Sequence, residues 1–391
     1  MRTAPVRVLH IITQLELGGA QQNTLYTCGH LDPSRFAVSL ACGTGGYLDA
    51  EARALDGVPV FFVPALVREV RPYQDLRALV ALVRVIEKSR PDIVHTHSSK
   101  AGILGRWAAA LAGIRGIVHT IHGFGFHDGQ RPVARNAWIA VERLTARRTT
   151  RFVAVSRANQ ALGVSLGLFP AAQCRVIRSG IDLARFRDAA LRPGAFRAEL
   201  GVAPDAALVG MIACLKPQKA PVDFVEVARR VLAEQPRATF VLAGDGALRP
   251  EVERAIDGVR GGRDRIRLLG WRRDTERIIA DLDVLLLTSR WEGLPRVVPE
   301  AMAAGRAVVA TAVDGTPEAV VEGVSGFLAP PGETALLARR VLQLLASPEL
   351  RGRMGDAGRA RSAEWDIDAM VRAQEDLYEE IQAAPCNPSW P

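Results

Sequence analysis

Short runs rich in Val, Ile and Leu alternate with longer amphipathic stretches along nearly the whole chain, and this alternation is what most restricts its folding. A short apolar run bounded by turn residues fits a strand buried on both faces, and an apolar period near 3.6 residues fits a helix packed over it. Repeated, the pair makes βα units around parallel sheets. Strands are expected at 6–12, 36–41, 58–63, 92–95, 116–120 and 151–155, then at 207–213, 238–243, 265–269, 282–287 and 307–310. Helices are expected between them, at 20–30, 75–89, 100–112, 133–148, 221–234, 273–280, 297–304 and 333–346. The two series predict an α/β chain of two Rossmann-like domains, 1–185 and 200–364. Arg, Pro and Gly interrupt the periodicity over 183–206, where Pro193-Gly194 and Pro204-Asp205 mark turns, so this stretch reads as a linker. Trp365–Ile381 reads as a closing amphipathic helix opened by Asp366, and the Pro-rich end from Pro385 as a frayed tail.

With 391 residues, 48% of them hydrophobic, each domain has enough apolar side chain for its own core. Five scattered cysteines, Cys28, Cys42, Cys174, Cys214 and Cys386, are odd in number and form no C-x-x-C or Cys/His cluster. Neither a disulfide framework nor a zinc site follows, and a reducing cytosol is expected. The first apolar stretch is broken by Arg7 and His10, which suits a strand and not a signal peptide. No run approaches the ~18 uninterrupted apolar residues of a spanning helix. Charge is uneven: through residue 190 there are 24 Lys+Arg against 13 Asp+Glu, or +11, whereas the remainder has 26 against 29, or −3. A basic first half suits an anionic partner or membrane surface, with no nucleic acid expected; an Arg-rich composition without purpose is the competing reading.

In two doubly wound sheets, ligands belong at the carboxyl ends of the strands. The most informative of these ends holds Glu292 and Glu300, separated by seven residues, where an apolar strand turns through Gly293-Leu294-Pro295 into a helix beginning near Val297 and Val298. Helix-start N–H groups favour a diphosphate, so the segment suits a nucleotide sugar. In one continuous helix the two carboxylates would lie about 12 Å apart along the axis, beyond the ~5–9.5 Å of a hydrolytic pair. They read as two hydroxyl clamps.

Only four of the 50 basic residues are Lys, and two of them, Lys216 and Lys219, share one loop. Lys219, expected at a helix start, suits a point charge that neutralises a departing diphosphate. Gly244 and Gly246 would bring backbone near a nucleotide, and Trp271 would offer a base a surface. After the first strand, Gly18-Gly19 opens a helix where phosphate or sugar could approach closely, although an ordinary β–α turn explains the pair as well. The G-x-G-x-x-G fingerprint of dinucleotide enzymes is absent.

Five of the seven histidines fall at His95, His97, His119, His122 and His127, which read as two strand-end loops. No carboxylate accompanies them at ligand spacing, so no metal is expected there. His122, followed by Gly123, is the candidate hydrogen-bonding group at a reacting sugar, and structural roles are expected for the others. Asp281/Asp283 and Asp366/Asp368 form Asp-x-Asp pairs, but the first lies at the wrong end of its strand and Asp366 reads as a helix cap, so neither pair is expected to bind metal.

Together these positions resemble glycosyltransferase family 4, whose members have the GT-B fold of two Rossmann-like domains facing across a cleft. The resemblance is carried by Gly18-Gly19-Ala20, Pro91 through His97, His119 through Gly123, Gly180-Ile181-Asp182, Gly244-Asp245-Gly246 and, most specifically, Ser289 through Gly305. It implies retaining, metal-independent hexosyl transfer from a nucleoside diphosphate sugar, UDP- or GDP-linked, to a glycan or lipid-linked acceptor in cell-surface polysaccharide or glycolipid synthesis. No cofactor is implied. Glu292 then holds donor-sugar hydroxyls beside the Gly293-Leu294-Pro295 backbone, Glu300 clamps the ribose, Lys219 stabilises the diphosphate and His122 sits beside the anomeric centre. The second domain would take the donor and the first the acceptor, with the final helix, 365–382, packing back on the first. A cytoplasmic protein, peripheral at the inner membrane face, is the corresponding location. One position departs from the family: its phosphate loop reads Arg-Leu-x-x-x-Lys, and Cys214 stands where the Arg would be. Either Lys216 supplies that charge or Lys219 and the helix dipole act without it. A sugar-nucleotide isomerase and a catalytically silent nucleotide-sugar binder are the alternatives on the same scaffold.

Overall fold

The computed structural model describes residues 4–127 and 129–384. The frayed tail expected from Pro385 lies outside the described residues. Two compact units divide the chain, one made of the residues up to Gly180 together with those from Ile367 onward, the other of Ile181–Asp366.

The first unit holds seven parallel strands: β1 (Val6–Ile12), β2 (Phe36–Cys42), β3 (Val60–Phe62), β4 (Ile93–His97), β5 (Gly116–Ile121), β6 (Arg151–Ala154) and β7 (Cys174–Val176), in the order β3-β2-β1-β4-β5-β6-β7. The second holds six, β8 (Leu208–Ile212), β9 (Thr239–Ala243), β10 (Ile266–Gly270), β11 (Val284–Leu287), β12 (Ala307–Thr311) and β13 (Gly326–Ala329), in the order β10-β9-β8-β11-β12-β13. Both are doubly wound Rossmann-like sheets. Their central strands, such as Val284–Leu287 and Ala307–Thr311, are buried at every residue, which is why they read as unbroken apolar runs and not as alternating ones.

The closing helix, Ile367–Ala383, belongs to the first unit. Its Ile367, Met370, Val371, Leu377 and Tyr378 share a core cluster with Val6, Val8, Phe36, Ile93, Val118 and Val153. Arg35 reaches its Glu375 and Glu379, and Arg175 its Glu380. Gly180 must be glycine, because a Cβ there would stand 2.5 Å from Ile367 Cα.

Three expectations change. Residues 183–206, read as a linker, carry helices Leu183–Ala190 and Ala195–Leu200 and form part of the second unit. Each helix is too short to show a period, and Gly194, with φ 107°, turns the chain between them. Phe196 is fully buried there, and Asp281 accepts from the backbone N–H groups of Gly194, Phe196 and Arg197. Second, β7 and β13 escaped the sequence reading because strands of three or four residues scarcely differ from a turn. Third, β4 runs to His97 and β5 to Ile121, so His95, His97 and His119 lie inside strands and not in loops.

Candidate functional site

An open parallel sheet has a crevice where strand order reverses, at the carboxyl ends of the two strands concerned. In the second unit these are β8 and β11, and the loops after them are tied together. Arg290 N–H donates to the Gln218 carbonyl at 2.7 Å, Gln218 Nε2 donates to the Trp291 carbonyl at 2.9 Å, and Thr288 Oγ1 lies 3.1 and 3.0 Å from the carbonyl oxygens of Lys219 and Ala220.

This lacing joins Lys219 Nζ to Glu292 Oε1 in an ion pair, so two residues picked separately from the sequence meet across the sheet's switch point. Ser289 Oγ donates to the same carboxylate oxygen at 2.6 Å, and Glu292 N–H donates to Asp314 Oδ2 at 2.6 Å. Glu292 is therefore fixed at both its side chain and its backbone. Lys219 does not open a helix as expected. It ends a 3-10 turn, Pro217–Lys219, and helix Pro221–Glu234 starts two residues later. Pro221 is the cause: it disfavours the right-handed helical conformation in the residue before it, and Ala220 sits at φ 44°. Lys216 precedes the turn in extended backbone, so both lysines and the half-buried Cys214 share one loop.

Gly293, Leu294 and Pro295 follow Glu292 directly, and Gly293 O accepts from Gly315 N–H at 3.2 Å. Val297 and Val298 start helix Val297–Ala303 with buried side chains, and Val298 N–H is taken by Pro295 O at 3.0 Å. Glu300 lies in the first turn of that helix, its Oε1 3.7 Å from Arg296 Nη2. Burial pushes the Glu300 carboxyl up and the Arg296 guanidinium down, while the charges of Arg296 and Arg185 act to keep Glu300 ionised.

Gly244 and Gly246 have a structural account of their own. With φ of 142° and 156°, they bring their loop against the one after β8, where a Cβ on Gly244 would meet Ala213 O at 1.9 Å and one on Gly246 would meet Leu215 O at 2.6 Å. Leu215 N–H donates to Asp245 O at 2.9 Å across the contact. Trp271, just past β10, is 39% exposed. Asp281 and Asp283 are committed elsewhere: Asp283 pairs with Arg197 and accepts from Leu208 N–H.

In the first unit the matching switch lies between β1 and β4. Gly18 caps helix Gly19–His30 in extended backbone, and its carbonyl accepts from Gln22 N–H. Ser98, just after β4, caps helix Ser99–Leu111 at φ 63° and ψ 158°, a conformation normally left to glycine, and its Oγ lies 2.7 Å from Thr13 Oγ1. Behind them runs a line of hydrogen-bonded side chains. His122 Nε2 is 3.1 Å from His97 Nδ1, His97 Nε2 is 3.0 Å from His10 Nδ1, and His10 Nε2 is 3.5 Å from the Tyr378 hydroxyl. That hydroxyl is 2.6 Å from His95 Nδ1, and His95 Nε2 is 2.7 Å from Thr120 Oγ1. His119 bonds Thr96 instead, at 2.9 Å.

Burial pulls His10 down to about 3 and His95, His97 and His119 well below the usual imidazole range, so these rings are neutral near pH 7. Nitrogens of His10, His95 and His97 lie within 4.8 Å of one another, the one such grouping among the described residues. In this structure each nitrogen of these three rings has a polar side-chain neighbour within 3.5 Å.

The sequence reading did not single out Ser289, Asp314, Arg296, His10, Thr120 or Tyr378. Arg296 stands four residues before Glu300, a spacing that signals a helical ion pair. His10 was visible as a polar residue inside an apolar strand, which demands a buried partner. Tyr378 gave no local signal, because its histidine partners lie more than 280 residues away.

Comparison with known proteins accords with this geometry. Residues 17–185 match the family described as Glycosyltransferase Family 4, and residues 204–347 the one described as Glycosyl transferases group 1. Over 329 residues, 83% of this chain and 84% of the relative, it is 32% identical to the UDP-Gal:alpha-D-GlcNAc-diphosphoundecaprenol alpha-1,3-galactosyltransferase of Escherichia coli. Two solved structures share its fold. Anabaena Alr3699/HepE, in complex with UDP and glucose, superimposes with a TM-score of 0.82 at 21% identity, over 96% of this chain and 99% of that one. Sucrose-phosphate synthase from Thermosynechococcus elongatus gives 0.83 at 20%, over 97% and 99%. A likeness that spans both sheets, joined to a relative this similar, identifies the chain as a GT-B glycosyltransferase belonging to glycosyltransferase family 4.

Proposed function

We propose that this glycosyltransferase moves a hexosyl group, with retention and without a metal ion, from a nucleoside diphosphate sugar to a lipid-linked diphosphate acceptor in the synthesis of a surface glycan. The pairing of Lys219 with Glu292 at the second unit's switch point carries the reading. As the bond from the anomeric carbon to the diphosphate breaks, its electron pair goes to the phosphate oxygen, and an ammonium already held in place stabilises that charge without reorganisation. Glu292 accepts from donor-sugar hydroxyls, Glu300 from the ribose, and Gly244, Gly246 and Trp271 border the nucleotide. His122 hydrogen-bonds a substrate oxygen from the first unit. The Lys219 ammonium, held against Glu292 at the switch point, supports a cationic side chain in the place of a metal at the diphosphate.

The relative from Escherichia coli is named for a UDP-linked galactose donor and a diphosphoundecaprenol acceptor, which supports a UDP-sugar and a lipid-linked acceptor here. Among the described residues no helix is long and apolar enough to cross a membrane. A membrane-facing side is supported by exposed Tyr73, Leu76 and Val80 on helix Pro72–Ser89 and exposed Val133, Val141 and Leu144 on helix Pro132–Ala146, both packed on helix Ser99–Leu111. Arg131, Arg143, Arg147 and Arg148 are exposed around the second stripe, the pattern of a helix resting at an anionic interface. Thermal-shift screening with UDP-, GDP- and ADP-sugars tests the donor. Stabilisation by a UDP-hexose, followed by UDP release on addition of a polyprenyl diphosphate sugar, is the expected result. Conversion of the donor with no acceptor present would overturn the reading in favour of an isomerase. Equal sedimentation with anionic and neutral vesicles would remove the membrane face.

A further inference from the structure

The backbone pairing of β11 with β12 ends at Leu287 and Ala310, so the loop that follows β11 leaves the ladder just before it reaches Glu292. Its backbone groups still need partners, and residues at the end of β12 supply them. Thr311 Oγ1 donates to the Ser289 carbonyl at 2.6 Å, Asp314 Oδ2 accepts from Glu292 N–H at 2.6 Å, and Gly315 N–H donates to the Gly293 carbonyl at 3.2 Å.

The two oxygens of the Glu292 carboxylate are used unequally. Oε1 is taken by the Lys219 ammonium and the Ser289 hydroxyl, whereas Oε2 has no hydrogen-bond partner among the described residues, although Glu292 is only 6% exposed. We propose that Oε2 is the atom that meets the donor-sugar hydroxyls, and that Thr311 and Asp314 are positioning residues that keep it turned toward them.

They act by two routes. Ser289 grips Oε1 with its hydroxyl and is itself gripped at its carbonyl, so Thr311 reaches the Glu292 side chain by way of Ser289. Asp314 reaches the main chain. It holds φ 43°, a region uncommon outside glycine but enriched for Asp, in a turn closed by Thr316 N–H on the Val313 carbonyl at 2.9 Å. That turn meets the Glu292–Gly293 backbone with an acceptor from Asp314 and a donor from Gly315, and two such bonds fix direction as well as distance. An ionised acceptor makes the first of them the stronger. With the backbone N–H and one carboxylate oxygen both held, the side chain between them has little freedom, and the remaining oxygen has one place to point. Such control matters at a substrate contact, where a misplacement of about 1 Å can cost roughly 100-fold in rate.

The inference rests on the reading of Glu292 as a donor-sugar contact, and a double-mutant cycle on the whole protein separates the two. Asp314→Gly keeps the positive φ and removes the acceptor, and Thr311→Val keeps the volume and removes the hydroxyl. Single-turnover rates, which stay measurable in slow variants, are expected to fall about five- to tenfold in each, the weight of one hydrogen bond. In the Glu292→Ala background neither change should lower the rate by more than about twofold, because residues that act through one carboxylate do not add. An unchanged rate in Asp314→Gly, or the same five- to tenfold loss repeated in the Glu292→Ala background, would overturn the positioning role and leave Glu292 as the donor contact. Unchanged turnover in Glu292→Ala would overturn the donor contact itself, and the inference with it. A crystal structure with the UDP-hexose bound is expected to place a sugar hydroxyl on the carboxylate oxygen that Lys219 and Ser289 leave free, and a hydroxyl on the other oxygen alone would overturn the orientation.

Discussion

The first sheet, β3-β2-β1-β4-β5-β6-β7, and the second, β10-β9-β8-β11-β12-β13, reverse direction at matching places, β1/β4 and β8/β11, yet the side chains there differ in kind. All seven histidines lie in the first unit and none between Ile181 and Asp366. The first switch is backed by neutral rings bonded to hydroxyls, whereas the second carries the charged pair Lys219 and Glu292. Strand order thus marks, in each unit separately, where a ligand belongs, and the residues behind the strand ends decide what chemistry is offered there. Neutral donors and acceptors suit hydroxyl-bearing substrate. A held ammonium suits a diphosphate.

Acid should separate the two units most strongly. For His10, His95, His97 and His119 the folded pKa lies below the unfolded value near 6.5, so between the two the unfolded chain binds protons that the folded chain does not, and stability falls as pH drops below 6.5. For His10 the loss continues down to about 3. The cost per ring approaches about 1.4 kcal/mol per pH unit only below the unfolded pKa, so four together cost roughly 4 kcal/mol over the first unit of acidification below 6.5. Hydrogen exchange resolved by segment in the whole protein at pH 7 and 5.5 should show β1, β4 and β5 losing protection while β8, β9 and β11 keep it. Equal loss in both sheets would break the comparison.

The charged switch is next in size. Lys219→Ala and Glu292→Ala should each lower turnover at least ~100-fold, the scale of one lost oxyanion-type contact. Steady-state rates measured with the donor identified by screening check this, and rates near those of the unaltered enzyme would remove the contrast between the sheets. The smallest effect belongs to Trp271→Ala. Loss of an exposed stacking surface should weaken nucleoside diphosphate binding about five- to tenfold, or ~1–1.4 kcal/mol, with no shift in Tm. Calorimetric titration distinguishes that from unchanged binding, which would free Trp271 of a donor role.

Legibility in the sequence followed the range of the interactions involved. Both sheets were readable because doubly buried parallel strands concentrate β-branched and aliphatic residues into short runs; β11, expected at 282–287, starts two residues later at Val284, while its end at Leu287 and the helix start at Val297 fall where expected. Lys219 and Glu292 stood out in the sequence because scarcity of Lys and a Gly/Pro-flanked carboxylate are local signals. Their ion pair did not, since 73 residues separate them. The two short helices in 183–206 were hidden by their length, and the extent of β4 and β5 was masked by His95, His97 and His119, polar residues that strands tolerate only when buried partners are supplied. Those partners are side chains from other elements, Tyr378 above all.

The return of the helix Ile367–Ala383 to the first unit sets an order on synthesis. Leu377 and Tyr378, almost wholly buried in that unit, are made only after the whole of Ile181–Asp366. The N-terminal sheet must wait while all of Ile181–Asp366 is made, roughly 10–40 s at about 5–20 residues per second. During that interval Val6, Val8 and Phe36 lack their cover, and a nascent chain stalled or cleaved before residue 367 would carry a finished second unit beside an open first one.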